Sequence, residues 1–155
     1  MVQRSLRKIR IMVEIFQPSQ ADEATLRAVN QLLPQLSSSA PPLNLERLIE
    51  IIQSSSVHLY IAREEKEVLG MLSLVLFPIP TGMRAWVEDV VVDEKARGKG
   101  VGKALSEHAL REALRLGAMT VDLTSRPSRI AANQLYQRVG FTKRETNVYR
   151  FSHAN

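Results

Sequence analysis

Arg97-Gly98-Lys99-Gly100-Val101-Gly102 alternates three glycines with cations, and Lys103 adds a third positive charge. Ahead of it runs Ala85-Trp86-Val87-Glu88-Asp89-Val90-Val91-Val92, whose β-branched apolar residues read as a strand. Behind it, Val101, Leu105, Ala109, Ala113 and Leu116 recur at helical spacing, and Gly117 is a natural stop. A strand, a glycine turn and a helix bring backbone N–H groups and the positive helix end to one point. Such a point binds anions, most often phosphate. Two nucleotide motifs are excluded here. A Walker loop needs Ser or Thr after its lysine, and Ala104 follows Lys103. The dinucleotide fingerprint needs a third small residue where this chain has Leu105. A tight turn with no ligand is the plain alternative. Three glycines interleaved with cations directly before a helix weigh against it.

The spacing Arg-x-x-Gly-x-Gly at Arg97, Gly100 and Gly102 resembles the pyrophosphate loop of the GNAT N-acetyltransferases, which move an acetyl group from acetyl-coenzyme A to an amine. A second segment, Ala131-Ala132-Asn133-Gln134-Leu135-Tyr136-Gln137-Arg138-Val139-Gly140-Phe141, looks like that family's Ala-x-x-Leu-Tyr-x-x-x-Gly-Phe. The two stand in the family's order and spacing and cover roughly the last seventy residues. Arg144 to Arg150 also looks like the ending of a subset of bacterial members. The resemblance implies an α/β (α+β) fold: a mixed, mostly antiparallel twisted sheet of six to seven strands, about four helices on both faces, and a parallel strand pair at the cofactor cleft. It implies acetyl-coenzyme A as acetyl donor and no metal. The cofactor contacts it implies are Val90, Val91, Val92, Arg97, Gly98, Lys99, Gly100, Val101, Gly102 and Lys103. Where the family often has asparagine seven residues before the tyrosine, this chain has Arg129, so the contact to the pantetheine arm falls to Asn133 or Arg129.

An amine attacking a thioester must arrive neutral, although an alkyl amine such as lysine has a pKa of about 10.4. The site therefore needs a proton acceptor, donors for the tetrahedral oxyanion and an acid for the departing thiolate. Glu88 is the candidate acceptor, directly or through water, because a carboxylate buried among valines needs a partner or a task. Strand alternation puts Asp89 on the opposite face, where it is the alternative base or an acceptor contact. Either acid could instead serve only to pair with a neighbour. The family position makes Tyr136 the candidate acid, against the alternative of a packed tyrosine with a wet tip. A backbone N–H near Val90 is the implied oxyanion donor, provided that the strand bulges there. Further acceptor contacts are expected from Ser38, Thr124 and Asn147.

At 155 residues one domain is expected, with residues 1–10 a basic extension (Arg4, Arg7, Lys8, Arg10) and 11–155 the N-acetyltransferase domain. Hydrophobic residues at 45% and charged ones at 24% are ordinary for a globular protein. The absence of cysteine excludes disulfides, thiolate metal sites and a cysteine nucleophile. His58, His108 and His153 lie far apart in the chain, without ligand spacing. A net charge of +5 suits a highly anionic cofactor, and no basic stripe with interleaved aromatics marks a nucleic-acid binder. No apolar leader and no run of membrane-spanning length appears, so a cytoplasmic protein without nucleic-acid or membrane partners is expected. A homodimer is left open. Three readings follow: an N-acetyltransferase for a small-molecule or peptide amine, a protein lysine or N-terminal acetyltransferase, and a non-catalytic coenzyme A-binding regulator. The presence of both Glu88 and Tyr136 favours an enzyme.

The elements that must position these residues are legible in order. Met12 to Gln17 reads as a strand, and Ser19 as the cap of a helix carrying Leu26, Val29 and Leu33 and ended by Pro34. Ser37 to Pro42 is a connector, and Asn44 caps a helix with Leu45, Leu48, Ile49 and Ile52. Val57–Arg63 and Val68–Phe77 form a hairpin, broken by Pro78 to Gly82 before the strand that carries Glu88. Met119 to Thr124 is a strand whose place after the long helix implies a parallel pair. Ser128 opens a helix stopped by Gly140, and two short strands at Phe141 and Val148–Phe151 close the chain.

Overall fold

The computed structural model describes residues 12–153, so the basic extension expected over 1–10 lies outside the described residues. Five strands form one sheet in the order β1-β2-β3-β4-β5: β1 Glu14–Phe16, β2 Val57–Glu64, β3 Glu67–Ile79, β4 Gly82–Val92 and β5 Thr120–Asp122. The first four run antiparallel to their neighbours, and β5 lies parallel to β4. The crossover between them contains α3, Val101–Arg115. Two helices, α1 (Glu23–Leu36) and α2 (Leu45–Gln53), precede β2, and α4 (Ile130–Arg138) follows β5. No helix among the described residues is long and apolar enough to cross a membrane.

Strand alternation sorts the apolar side chains into two cores. Leu72, Leu74, Ala85 and Val87 pack with Val101, Leu105 and Ala109 of α3. On the opposite face Leu59, Ile61, Met71 and Val91 pack with Val29, Leu32 and Leu48 of α1 and α2. Each fully buried leucine contributes roughly 1.5–3 kcal/mol relative to an exposed one. Gly70 draws β3, β4 and α3 together: a Cβ there would lie 2.7 Å from the Val91 carbonyl oxygen and 3.2 Å from Leu105.

Several boundaries differ from expectation. Asp22, not Ser19, caps α1, accepting the Thr25 N–H at 2.7 Å. Pro34 lies inside that helix. In the last turn it forfeits a single ladder bond, and the Ser37 N–H still reaches the Leu33 carbonyl at 2.9 Å. β3 runs through Pro78 to Ile79, with Pro78 opposite Met83, because a proline at a hairpin end costs only one dispensable bond. Helix α4 opens at Ile130 rather than Ser128, after a turn in which the Arg129 N–H donates to the Arg126 carbonyl.

The two closing strands are absent among the described residues, and the sheet has five strands rather than six or seven. Val148, Tyr149 and Phe151 are strand formers, yet they are 71%, 88% and 95% exposed. β-propensity is realised only on a paired, half-buried surface, and these side chains have none. The described residues form two compact units, one ending at Thr124 and one beginning at Ser125.

Candidate active site

The turn ahead of α3 is held from below by α1. Asp93, directly after β4, is buried and accepts from the Lys95 N–H at 3.0 Å, Gln31 Nε2 at 3.1 Å and Gln35 Nε2 at 3.2 Å. Gln35 Oε1 in turn accepts the Glu94 N–H at 2.8 Å. The Lys95 N–H, followed by the Gln31 amide, holds the Asp93 carboxyl below its usual range. A single 3₁₀ turn, Glu94–Ala96, then delivers the chain to Gly98 and Gly100, whose φ angles are +76° and +85°. Those angles favour glycine, and a Cβ at either position would meet nothing within 4 Å, so the space above the turn is open. The first helical bond runs from the Ala104 N–H to the Gly100 carbonyl. Among the described residues, the N–H groups of Val101, Gly102 and Lys103 have no protein acceptor. Val101 and Leu105 anchor this helix end in the core. Arg97, Gly98, Lys99 and Lys103 stay exposed, Lys103 with Glu107 at 3.8 Å. Free N–H groups, a positive helix end and three cations fit a diphosphate.

β4 carries the bulge that the chemistry calls for. Ser73 pairs with Glu88 and Met71 with Val91, so Asp89 and Val90 together face Leu72 alone. Asp89 takes the left-handed conformation at φ +51°. The bulge overturns the alternation expected around Glu88. Ala85 and Val87 face the α3 core, but beyond the extra residue Val90 and Val92 do, while Val91 enters the opposite core. Glu88 precedes the extra residue and lies on the face opposite Val87, where it is not buried among valines, and Asp89, inside the bulge, is not buried either. Both side chains are exposed. The partner of Glu88 is Trp86, whose Nε1 donates to Oε1 at 2.9 Å. Pairing of β4 with β5 ends at Trp86 and Asp122, leaving Val87 to Val92 without a neighbour strand on that side among the described residues. The cofactor contacts expected of Val90, Val91 and Val92 lie along this unpaired edge, which leads into the glycine turn.

In the second unit Tyr136 is buried on α4, its ring edge-on to Phe141 at 5.9 Å between centroids. Desolvation raises its pKa, against a smaller opposing effect of Arg129. Among the described residues its hydroxyl has no hydrogen-bond partner. Asn133 Nδ2 donates to the Arg126 and Arg129 carbonyls at 2.9 and 3.0 Å, so both of its donor hydrogens serve the start of α4. Arg129 is the exposed N-cap residue. Of the expected acceptor contacts, Asp89 adjoins Glu88, Ser38 is exposed in the α1–α2 connector, and Thr124 is exposed after β5. Asn147 lies in the exposed C-terminal segment, 3.3 Å from the Tyr149 hydroxyl.

A family model for the Acetyltransferase (GNAT) family matches residues 26–141. The chain belongs to this family. Its fold is shared with an aminoglycoside acetyltransferase from an uncultured soil metagenome, solved with sisomicin, at TM-score 0.82 and 16% identity over 92% of this chain and 97% of that one. An acetyltransferase of Trypanosoma brucei superposes at TM-score 0.75 with 25% identity over 90% and 99% of the two chains. The aminoglycoside N-acetyltransferase AAC(6')-Iy, solved with CoA, does so at 0.74 with 18% identity over 92% and 95%. No curated protein matches the chain.

Several residues of this candidate site escape a reading of the sequence. Trp86 and Glu88 stand two apart on a strand, a spacing that signals a shared face, but their bond depends on rotamers. Asp122 becomes the β5 partner of Trp86 through a register that no local pattern encodes. Asp93, Gln31 and Gln35 meet across about sixty residues of chain, with no periodic signal linking them.

Proposed function

We propose that this GNAT chain transfers the acetyl group of acetyl-coenzyme A to the primary amine of a small molecule or peptide by direct attack. The observation that carries this reading is the open glycine turn at the end of the strand bearing Glu88. The N–H groups of Val101, Gly102 and Lys103, with Arg97, Lys99 and the Lys103 ammonium, would hold the diphosphate. The unpaired edge of β4 at Val90 to Val92 would hold the amide-bearing arm, with Asn133 and Arg129 further candidates for that arm. Bound there, the coenzyme supplies an acyl carbon activated as a thioester. Glu88 accepts the ammonium proton, directly or through water, so that the nitrogen presents its lone pair. A backbone N–H at the bulge near Val90 donates to the oxyanion that develops. Tyr136, kept protonated by burial, returns a proton to the departing sulfur.

Glu88→Gln tests this reading, because it preserves shape and removes only charge and basicity. Rates at low pH should fall by roughly 10²- to 10⁴-fold, the usual contribution of a positioned base. At high pH, where the amine is already neutral, the wild-type and mutant profiles should converge. A uniformly lowered profile with an unchanged melting curve would assign Glu88 to orientation, and an unchanged profile would move the base to Asp89. Thiol release over a panel of small amines and lysine peptides separates the acceptor classes. Coenzyme binding with no acceptor-dependent release would leave a non-catalytic binder.

A further inference from the structure

The sheet face that carries Glu88 holds a group of residues that belongs to neither core. Register places them in rows: Ser73 beside Glu88, then Val75, Trp86 and Asp122, then Phe77, Arg84 and Thr120. Leu74, Val87 and Val121, one step away on these strands, point into the α3 core, so the rows occupy the other face. Val75, Phe77 and Trp86 are half-buried and pack into neither apolar cluster. Trp86 stands between Val75 and Asp122 with Glu88 in the next row, and Arg84 lies beside Phe77 in the row away from Glu88. Half-buried apolar side chains flanked by two carboxylates, with neither core claiming them, mark a surface whose Glu88 end suits a ligand that is apolar and cationic at once.

The bond within this face gives the indole a second role. An exposed glutamate ordinarily samples many rotamers, and fixing one costs side-chain entropy. Here Trp86 Nε1 pins Oε1 at 2.9 Å and leaves Oε2 unbonded among the described residues. Indole N–H is a donor only, so this contact leaves the carboxylate as an acceptor. At so exposed a site one hydrogen bond adds little stability, and its effect is directional. Trp is also the ring that best attracts a cation to its face, which suits the approach of an ammonium group toward Glu88.

We infer that Trp86 is the positioning residue for Glu88, and that with Val75 and Phe77 it forms the plate on which the acceptor rests, selecting primary amines joined to an aromatic or apolar body. The inference rests on the proposed role of Glu88 as base. Steady-state kinetics with phenethylamine and ethanolamine test it. Wild type should prefer phenethylamine by about tenfold or more in kcat/KM, the worth of one aromatic contact. Trp86→Phe keeps the plate and removes the donor, so kcat should fall about five- to tenfold while KM for phenethylamine stays within about twofold. In a Glu88→Gln background the same change should alter kcat by less than about twofold, since the base it positions is gone. Trp86→Ala should raise KM for phenethylamine about tenfold and leave that for ethanolamine within about twofold.

Additive losses in the double mutant, with Glu88→Gln itself impaired, overturn the positioning role while sparing the proposed function. Full activity of Glu88→Gln overturns the positioning role together with the assignment of Glu88 as base. A preference for ethanolamine, or an equal KM increase for both amines in Trp86→Ala, overturns the plate.

Discussion

Glu88 and Tyr136 are held in opposite surroundings, as their proposed tasks require. The carboxylate is exposed and directed by an indole N–H, whereas the phenol ring is buried and its hydroxyl has no protein partner among the described residues. Burial raises the Tyr136 pKa above the ordinary value of about 10, so the side chain keeps its proton where acceptor amines begin to lose theirs. Tyr136→Phe should therefore lower kcat by up to about 10²-fold, because thiolate is a fair leaving group and water partly substitutes. The apparent KM for acetyl-coenzyme A should change less than kcat, which initial-rate kinetics would resolve. Equal kinetics for mutant and wild type would reduce Tyr136 to packing. At this scale residue types were legible and environments were not. Glu88, expected to be buried, is exposed, because it lies on the face opposite Val87 at a place that neither apolar core covers, and no local pattern shows how far a core extends.

Among the elements, the glycine turn depends on its neighbours for shape. Asp93 ties its entrance to α1, and Val101 with Leu105 presses its exit onto Gly70. Gly100→Val places a β-branched residue at φ +85°, a strain of about 1–3 kcal/mol. It also puts a side chain into the open space where an anion would sit. The protein should still fold, with a lowered melting temperature, and calorimetry should show affinity for acetyl-coenzyme A reduced more than tenfold, about 1.4 kcal/mol or more. Unchanged affinity would remove the turn from the binding site. The helices and the β2–β3–β4 meander were legible because periodicity and caps agree, as with Asn44 accepting the Arg47 N–H at 2.8 Å. The closing strands were not, since Val148 to Phe151 carry a local preference that pairing does not answer.

For the whole molecule, two linked behaviours are expected. Acetyl-coenzyme A should raise the melting temperature in thermal denaturation, by about 2.7 kcal/mol of stabilisation at a hundredfold excess over Kd. No shift at millimolar ligand would refute binding. Stability should also depend on pH through a cluster between β2 and α3, where Tyr60 stacks edge-on against His108 at 4.6 Å and beside His58 at 6.5 Å. Desolvation lowers the pKa of both histidines, with Glu112 opposing. A lowered histidine pKa means that the unfolded chain binds more protons. This stability is complete above about pH 6.5 and is lost as pH falls toward the folded values. Desolvation moves Tyr60 the other way, up to about 12, and its buried hydroxyl has no partner among the described residues. That contribution is complete below about pH 10 and is lost as pH rises toward 12. Denaturant titrations should show a plateau between these limits, and His108→Phe should flatten the acid side. An unaltered acid limb in that variant would place the pH dependence elsewhere.

The extra residue at Asp89 also fixes how this chain can change length. Removing it would restore an unbroken ladder between β3 and β4, with Val90 opposite Leu72, and Val90, Val91 and Val92 would keep the sides of the sheet that they now occupy. Val91 would stay with Leu32 and Met71, and Val90 and Val92 would stay on the α3 side. A single deletion would thus remove the bulge, and with it the N–H proposed for the oxyanion, without turning any core valine outward. Asp89→Gly, which keeps the count and relieves φ +51°, should be tolerated or mildly stabilising. Along β4 the two cores fix which residues face inward, and the extra residue at Asp89 is one that neither core requires.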